Sequence, residues 1–374
     1  MKALRIGMIG SGLMGKAHSI AYAAAPVFCD LPLSFQRAVV ADVDATLASR
    51  AAETLGFDES VVGWQSVVER NDVDVIDIVA PNDVHEAIAC AALRAGKHVF
   101  CEKPLATNVA AAERMAAAAR KAGTVNMVGF NHRRAPAIVY ARDLLGSGRL
   151  GNPLNITVRY FQDWALSPDV PFGWRFDRSR AGTGALGDIG SHAIECAEYL
   201  LGPIVRVCAE LRTFIPFRPS ENGSKVMVPV TDDDATIVLA EFESGVIGTI
   251  EAGRAASGRK NQLAFELYGS EGAVMFDWER RDELQVSLRD DPIALSGFRA
   301  ILMGPEHPYG FWPIPAMGYG YIETFVAEFE ELANAICEER QAEPNFEAGL
   351  RVQRVLEAVE TSARERKWHD VSAP

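Results

Sequence analysis

Residues 10–15 read G-S-G-L-M-G, and the run lies between two stretches of different character. The apolar residues Leu4–Ile9 before it read as a strand, and the residues after Gly12, to about Ala25, read as a helix. In that setting each glycine has a use. Gly10 permits a tight turn, Gly12 lets the backbone approach a pyrophosphate, and Gly15 lets the helix pack closely on the strand. Leu13 and Met14 open the helix, whose free N–H groups and positive dipole end would face the anion. Asp42 follows the second apolar run, Arg37–Ala41. A carboxylate there accepts from both ribose hydroxyls and repels a 2′-phosphate, so NAD is expected over NADP. The interval from Gly10 to Asp42 exceeds the ~20 residues usual for this fingerprint, and PVFCDLPLS reads as the loop that fills it. The plainer alternative for Asp42 is a helix-capping residue in an α/β fold that binds no nucleotide.

Two more clusters fall at expected strand ends, where open α/β sheets gather ligands. Pro81, Asn82 and His85 follow the run Val73–Val79, and Glu102, Lys103 and Pro104 follow His98–Cys101. The proline removes a backbone donor and holds Lys103 extended. Beside a cationic nicotinamide ring a lysine has a depressed pKa and can polarise or deprotonate a hydroxyl. A solvated loop lysine is the ordinary reading.

The second dense cluster is the glycine-rich stretch 182–192, which ends in Asp188 and His192. Four residues apart, these two share a helix face. A carboxylate can set the tautomer and basicity of an imidazole while both touch one substrate. A capping aspartate with a core histidine fits the same residues equally well. Directional donors for a polyol are available in Asn131, Arg133, Gln162 and Arg175, and Trp164 and Trp174 offer flat apolar faces to sugar C–H surfaces. The seven histidines are dispersed with no metal-ligand spacing, so no metal is expected.

The elements that must position these residues change character near Gly146–Pro153. Upstream, short apolar runs alternate with amphipathic ones, Asp44–Leu55, Asp83–Arg94 and Asn108–Ala122 being the helical members, as in a doubly wound parallel sheet. Downstream come alternating strands: Leu154–Phe161, Val205–Thr213, Thr236–Phe242, Val246–Ala252, Leu263–Tyr268, Ala273–Phe276 and Leu284–Leu288. A helix at about Ile189–Leu201 interrupts them, and helices Tyr321–Glu339 and Glu347–Arg366 close the chain. The fold class expected is α/β: a Rossmann domain, residues 1–130, then an α+β domain with an open, mainly antiparallel sheet, residues 131–374, whose C-terminal helices are free to pack back on the first domain.

At 374 residues and a net charge of −13, the chain is too acidic to carry the basic footprint of a nucleic-acid or membrane-surface binder. Hydrophobic residues are 48%, enough for large cores, yet no run is long enough to span a bilayer and no signal peptide is read. The six scattered cysteines read as buried small hydrophobes in a reducing compartment, so a cytoplasmic protein is expected.

Taken together, the glycine run, Asp42, PN-x-x-H at 81–85, EKP at 102–104 and G-A-L-x-D-x-x-x-H at 184–192 resemble the Gfo/Idh/MocA oxidoreductases over nearly the whole chain. The resemblance implies Lys103 beside the nicotinamide, His192 as acid/base, and Asp188 on the substrate, orienting the histidine. It implies cofactor contacts from Gly10, Gly12, Leu13, Met14, Gly15, Asp42, Pro81, Asn82, His85, Glu102, Lys103 and Asn131. Substrate contacts would come from Lys103, His132, Arg133, Gln162, Trp174, Arg175, Asp188 and His192. Within the family the chain is most similar to sugar dehydrogenases of the levoglucosan and inositol type, through GKAHSIAYAAAP, FNHRRAP, FQDW, Trp174-Arg175, ERRDELQV and GPEHPYGFWPIPAMGYGY. It departs at His132, where the levoglucosan type carries tyrosine. The implied activity is NAD-dependent oxidation of a secondary hydroxyl of a sugar, anhydrosugar or cyclic polyol by hydride transfer. The alternatives are a redox-neutral NAD-dependent glycosidase of the same family and a non-catalytic dinucleotide-binding regulator. The implied partner is a second copy, as a homo-dimer or homo-tetramer formed through the C-terminal sheet.

Overall fold

A computed structural model describes residues 3–221 and 226–372. The chain forms two compact units, residues 1–131 with 320–350, and residues 132–319 with 351–374.

The first unit is built on a six-stranded sheet. In spatial order its strands are Glu59–Val62, Ser34–Asp42, Ala3–Ile9, Val75–Ile78, His98–Glu102 and Asn126–Gly129, every neighbouring pair parallel. Val75–Ile78 is buried throughout, as a strand covered on both faces must be. Local chemistry sets the helix ends. Asp44 caps Ala45–Leu55 by accepting from the N–H groups of Thr46 and Leu47, and Gly56 stops that helix in the left-handed conformation. Asn108 caps Val109–Ala122 by accepting from the Ala111 N–H. The segment expected as a loop after Ala25 is loop only in its middle, residues 29–33. Helix Leu13–Phe28 runs through Pro26, and the next strand begins at Ser34. Helix Tyr321–Cys337, late in sequence, packs against Leu13–Phe28, and Phe329 stacks on Tyr22 at 3.9 Å.

The second unit is a nine-stranded sheet. Its strands run Arg299–Leu302, Glu283–Leu288, Gly272–Asp277, Gln262–Gly269, Pro153–Phe161, Ile247–Gly253, Ala235–Phe242, Ile204–Arg212 and His369–Asp370. The pairing is antiparallel except between Pro153–Phe161 and Ile247–Gly253. One face buries Ile156, Val158, Val238, Ile250 and Phe265 under helix Ser191–Leu201. The other carries the exposed Ile237, Leu239, Ile247 and Tyr268. No helix among the described residues is long and apolar enough to cross a membrane. Of the six cysteines only Cys101 and Cys196 are buried. Cys337 is exposed and the other three are half-buried, because they sit on sheet and helix surfaces rather than in the cores.

Candidate functional site

In the first unit, the glycine run performs three separate tasks. Gly10 has φ +100°, and a Cβ there would lie 2.8 Å from the Val79 carbonyl oxygen, so both conformation and space require glycine. At Gly15 an added Cβ would stand 3.0 Å from the Gly10 carbonyl oxygen. Gly12 differs: a Cβ there would meet no protein atom within 4 Å. Packing makes no demand at Gly12, so the missing side chain serves the approach of something outside the protein. No side chain caps the helix at Gly12, and its first N–H groups are left for an anion. Asp42, at the end of the neighbouring strand, accepts from the Ser11 hydroxyl at 2.5 Å and from the Val43 N–H at 2.7 Å. That ties the acid to the glycine loop. This open cradle, dipole end and adjacent carboxylate fit a dinucleotide with an unphosphorylated 2′-hydroxyl.

The other residues expected at the cofactor fall at two depths. Asn82 is buried at the start of a short turn after Pro81. His85 is fully buried, with Nδ1 3.1 Å from the Pro104 carbonyl and Nε2 2.9 Å from the Ala80 carbonyl. It sits between the two loops that carry Asn82 and Lys103, and in its neutral form donates to one of those carbonyls. Burial pushes its pKa down, against those carbonyls and Glu102. Glu102 is buried and accepts from the Lys103 N–H at 3.2 Å. Its other oxygen faces His18 Nε2 at 3.1 Å, and His18 Nδ1 lies 3.0 Å from Asp77. Burial opposes a charge on His18, but Asp77 and then Glu102 outweigh it, and the imidazole is pushed up to about 10. Asn131 donates to Thr324 Oγ1 at 2.8 Å, and the Tyr321 hydroxyl meets Met14 Sδ at 3.8 Å, so the start of helix Tyr321–Cys337 joins this cradle.

In the second unit, the glycine-rich segment leads into a π turn, Leu186–Gly190, before helix Ser191–Leu201 begins. Asp188 lies in that turn and His192 in the first turn of the helix. The turn is anchored by Asp233, which accepts from the N–H groups of Gly184 and Leu186, each at 2.8 Å. Gly184 is obligatory, since its Cβ would overlap the Asp233 backbone. The Asp188 carboxylate is held between two arginines, 3.6 Å from Arg254 Nη1 and 3.9 Å from Arg175 Nε. Arg254 is fully buried and also reaches Asp232 at 3.4 Å and the Asp233 carbonyl at 3.0 Å. Burial drives the Asp232 carboxyl up to about 7, although Arg254 works against it.

His192 is buried, with its Nδ1 3.4 Å from Nδ1 of His132. The two rings meet edge to face at 4.4 Å, and Trp278 packs on His132 at 4.5 Å. His132 Nε2 lies 3.4 Å from the Tyr160 hydroxyl, which donates to Asn261 Oδ1 at 2.7 Å. Gln162 donates to that same oxygen at 2.7 Å and accepts from Trp164 Nε1 at 2.9 Å. Arg133, expected to face a substrate, pairs with Glu195 at 2.6 Å and lies over the Tyr199 ring at 4.3 Å. Trp174 lies under the Arg175 guanidinium at 4.3 Å.

The second unit thus brings together His132, Gln162, Trp174, Arg175, Asp188 and His192, and directs Arg133 to an acidic neighbour. Sequence reasoning missed Tyr160, Asn261, Arg254 and Asp233. The one usable signal was the D-D-D run at 232–234, three acids beside a strand start.

Residues 4–130 match the family model of oxidoreductases with an NAD-binding Rossmann fold, and residues 138–275 match the GFO/IDH/MocA C-terminal domain. The chain belongs to the Gfo/Idh/MocA family. It is 42% identical to the levoglucosan dehydrogenase of Pseudarthrobacter phenanthrenivorans, covering 99% of both chains. A solved levoglucosan dehydrogenase in complex with NADH and levoglucosan superposes with a TM-score of 0.97 at 43% identity, covering 99% of this chain and all of that one. The myo-inositol 2-dehydrogenase of Thermotoga maritima is 28% identical over 77% of this chain and 79% of its own. As a Gfo/Idh/MocA member the chain is an NAD-dependent oxidoreductase of a sugar and polyol dehydrogenase family.

Proposed function

We propose that the protein oxidises a secondary hydroxyl of a sugar, an anhydrosugar of the levoglucosan kind or a cyclic polyol to the ketone. The observation that carries this reading is the His192 imidazole, buried against His132 in the unit that also holds Asp188 between two arginines. NAD⁺, when bound, supplies the two-electron acceptor. In the first unit Gly12 and the N-terminus of helix Leu13–Phe28 take its pyrophosphate, and Asp42 takes its ribose hydroxyls. His192 accepts the proton of the reacting hydroxyl, and Lys103, in the first unit, serves beside the nicotinamide. Asp188, paired with Arg254 and Arg175, accepts from a neighbouring substrate hydroxyl. The names of the levoglucosan dehydrogenases that align over the whole chain support an anhydrosugar as the substrate.

The test is NADH formation, followed by absorbance, with levoglucosan, L-sorbose, free sugars, inositols and glycosides, with NADP⁺ in parallel. One substrate turning over with NAD⁺ is the expected result. Lys103→Ala and His192→Ala should each cut kcat by roughly 10²- to 10⁴-fold, the usual worth of a positioned acid or base, and leave NADH binding largely intact. Wild-type turnover in either variant, or aglycone release without NADH, would overturn the assignment.

The partner belongs to the same proposal. Cross-strand pairing puts Ile237, Leu239, Ile247, Thr249, Thr157 and Tyr268 on the helix-free face of the nine-stranded sheet. Ile237 is 58% and Ile247 62% exposed there. A second copy of the chain covers this face.

A further inference from the structure

Trp164 Nε1–H can only donate. It points at Gln162 Oε1, 2.9 Å away, which decides which way round that amide lies. The Gln162 nitrogen is therefore the end that donates to Asn261 at 2.7 Å, and the atom receiving it is the Asn261 oxygen. That oxygen also receives the Tyr160 hydroxyl hydrogen at 2.7 Å. With its only hydrogen used, the Tyr160 oxygen can act toward other neighbours only as an acceptor. Burial, reinforced by the charge of Asp188, pushes the phenol up, so it stays neutral. His132 Nε2, 3.4 Å from that oxygen, must then carry a hydrogen.

In its neutral form the His132 imidazole holds one N–H, so its Nδ1 is then an acceptor. The atom facing it at 3.4 Å is Nδ1 of His192, which must supply the hydrogen. Trp278 at 4.5 Å and the Tyr160 ring at 5.4 Å pack against His132 and keep it in register.

We propose that Trp164, Gln162, Asn261, Tyr160 and His132 form a one-way hydrogen-bond chain that fixes His192 as the Nδ1–H tautomer, leaving Nε2 as its proton-accepting nitrogen. The five are positioning residues, and His132 does for His192 what a carboxylate does for the histidine of a hydrolase triad. The inference rests on His192 being the base. The proton released by the substrate hydroxyl arrives at Nε2, and the resulting imidazolium keeps its Nδ1–H on His132.

The tautomer can be read without turnover. Protein labelled with ¹⁵N-histidine is observed by long-range ¹H–¹⁵N correlation, at a pH where both rings are neutral, with His132→Gln and His192→Gln assigning the signals. His192 as the Nδ1–H form and His132 as the Nε2–H form is the expected result, and His192 as the Nε2–H form would overturn the proposal. Tyr160→Phe removes the acceptor for His132. It should mix the His192 tautomers and lower kcat roughly 10- to 100-fold with KM little changed, less than the ~10⁴ cost of a wholly wrong tautomer. His132→Gln can still accept from His192 and donate to Tyr160, so it should keep the Nδ1–H form, whereas His132→Leu should lose it. An unchanged His192 tautomer in both Tyr160→Phe and His132→Leu would also refute the chain. If the tautomers match but His192→Ala turns over normally, the dehydrogenase assignment of His192 fails and the chain stands.

Discussion

Asp42 and Arg254 show how two charged side chains can be judged from what surrounds them. The Asp42 carboxylate accepts from Ser11 and the Val43 N–H at the edge of a cradle that packing leaves open at Gly12. Asp42→Ala should raise the Kd for NADH by roughly 10- to 100-fold, in line with about 1.5–3 kcal/mol for a hydrogen bond to a charged group. It should raise the Kd for NADPH much less, and titration calorimetry reads both. Arg254 is the opposite case. It is fully buried among Asp188, Asp232 and the Asp233 carbonyl, so removing it strands carboxylates in a dry site. Arg254→Met should cost about 3–5 kcal/mol of stability at neutral pH and lower kcat/KM through the loss of a fixed Asp188. The stability deficit should shrink in acid, because Asp232 already titrates at about 7 and a protonated acid needs no counter-ion. Denaturant melts at two pH values check this, and an equal deficit at both would disprove it.

At the scale of elements, the network around His18 couples helix Leu13–Phe28 to strands Val75–Ile78 and His98–Glu102. Its imidazole is raised from 6.5 to about 10 in the folded protein. The stabilisation it gives is fully present below about pH 6.5 and is lost as pH rises through 10. Wild-type Tm should therefore fall between pH 7 and 10, and His18→Gln should flatten that fall. An identical slope in the variant would exclude His18 as its source. Most elements were legible, because buried parallel strands read as apolar runs and caps such as Asp44, Gly56, Asn108 and Gly123 leave local marks. Helix Pro136–Gly146 and the edge strands Glu59–Val62 and Arg299–Leu302 were not read; the strands are short and largely surface-lying, with no strong period. The candidate site was legible where chemistry is local, as at 10–15, 102–104 and 184–192. Tyr160 and Asn261 were hidden because their meeting depends on the register that sets Tyr160 opposite Leu263, about a hundred residues on. No local pattern encodes a register between strands so far apart.

At the scale of the whole molecule, the proposed assembly through the exposed sheet face is directly testable. Sedimentation should find the wild type as a dimer or tetramer, and Ile237→Glu with Ile247→Glu should yield monomers; a monomeric wild type would exclude the partner proposed. The order in which the chain builds its two units has a different kind of consequence. The first unit is completed only when the chain returns to it at 320–350, where Phe329 stacks on Tyr22 and the next segment goes back to the second unit. A genetic exchange that replaced residues 1–131 alone would import a nucleotide-binding unit lacking its own Tyr321–Cys337 helix, and the Tyr22 ring would face a helix shaped for another protein. Exchange of this unit between relatives therefore needs three crossovers, after residues 131, 319 and 350, rather than one.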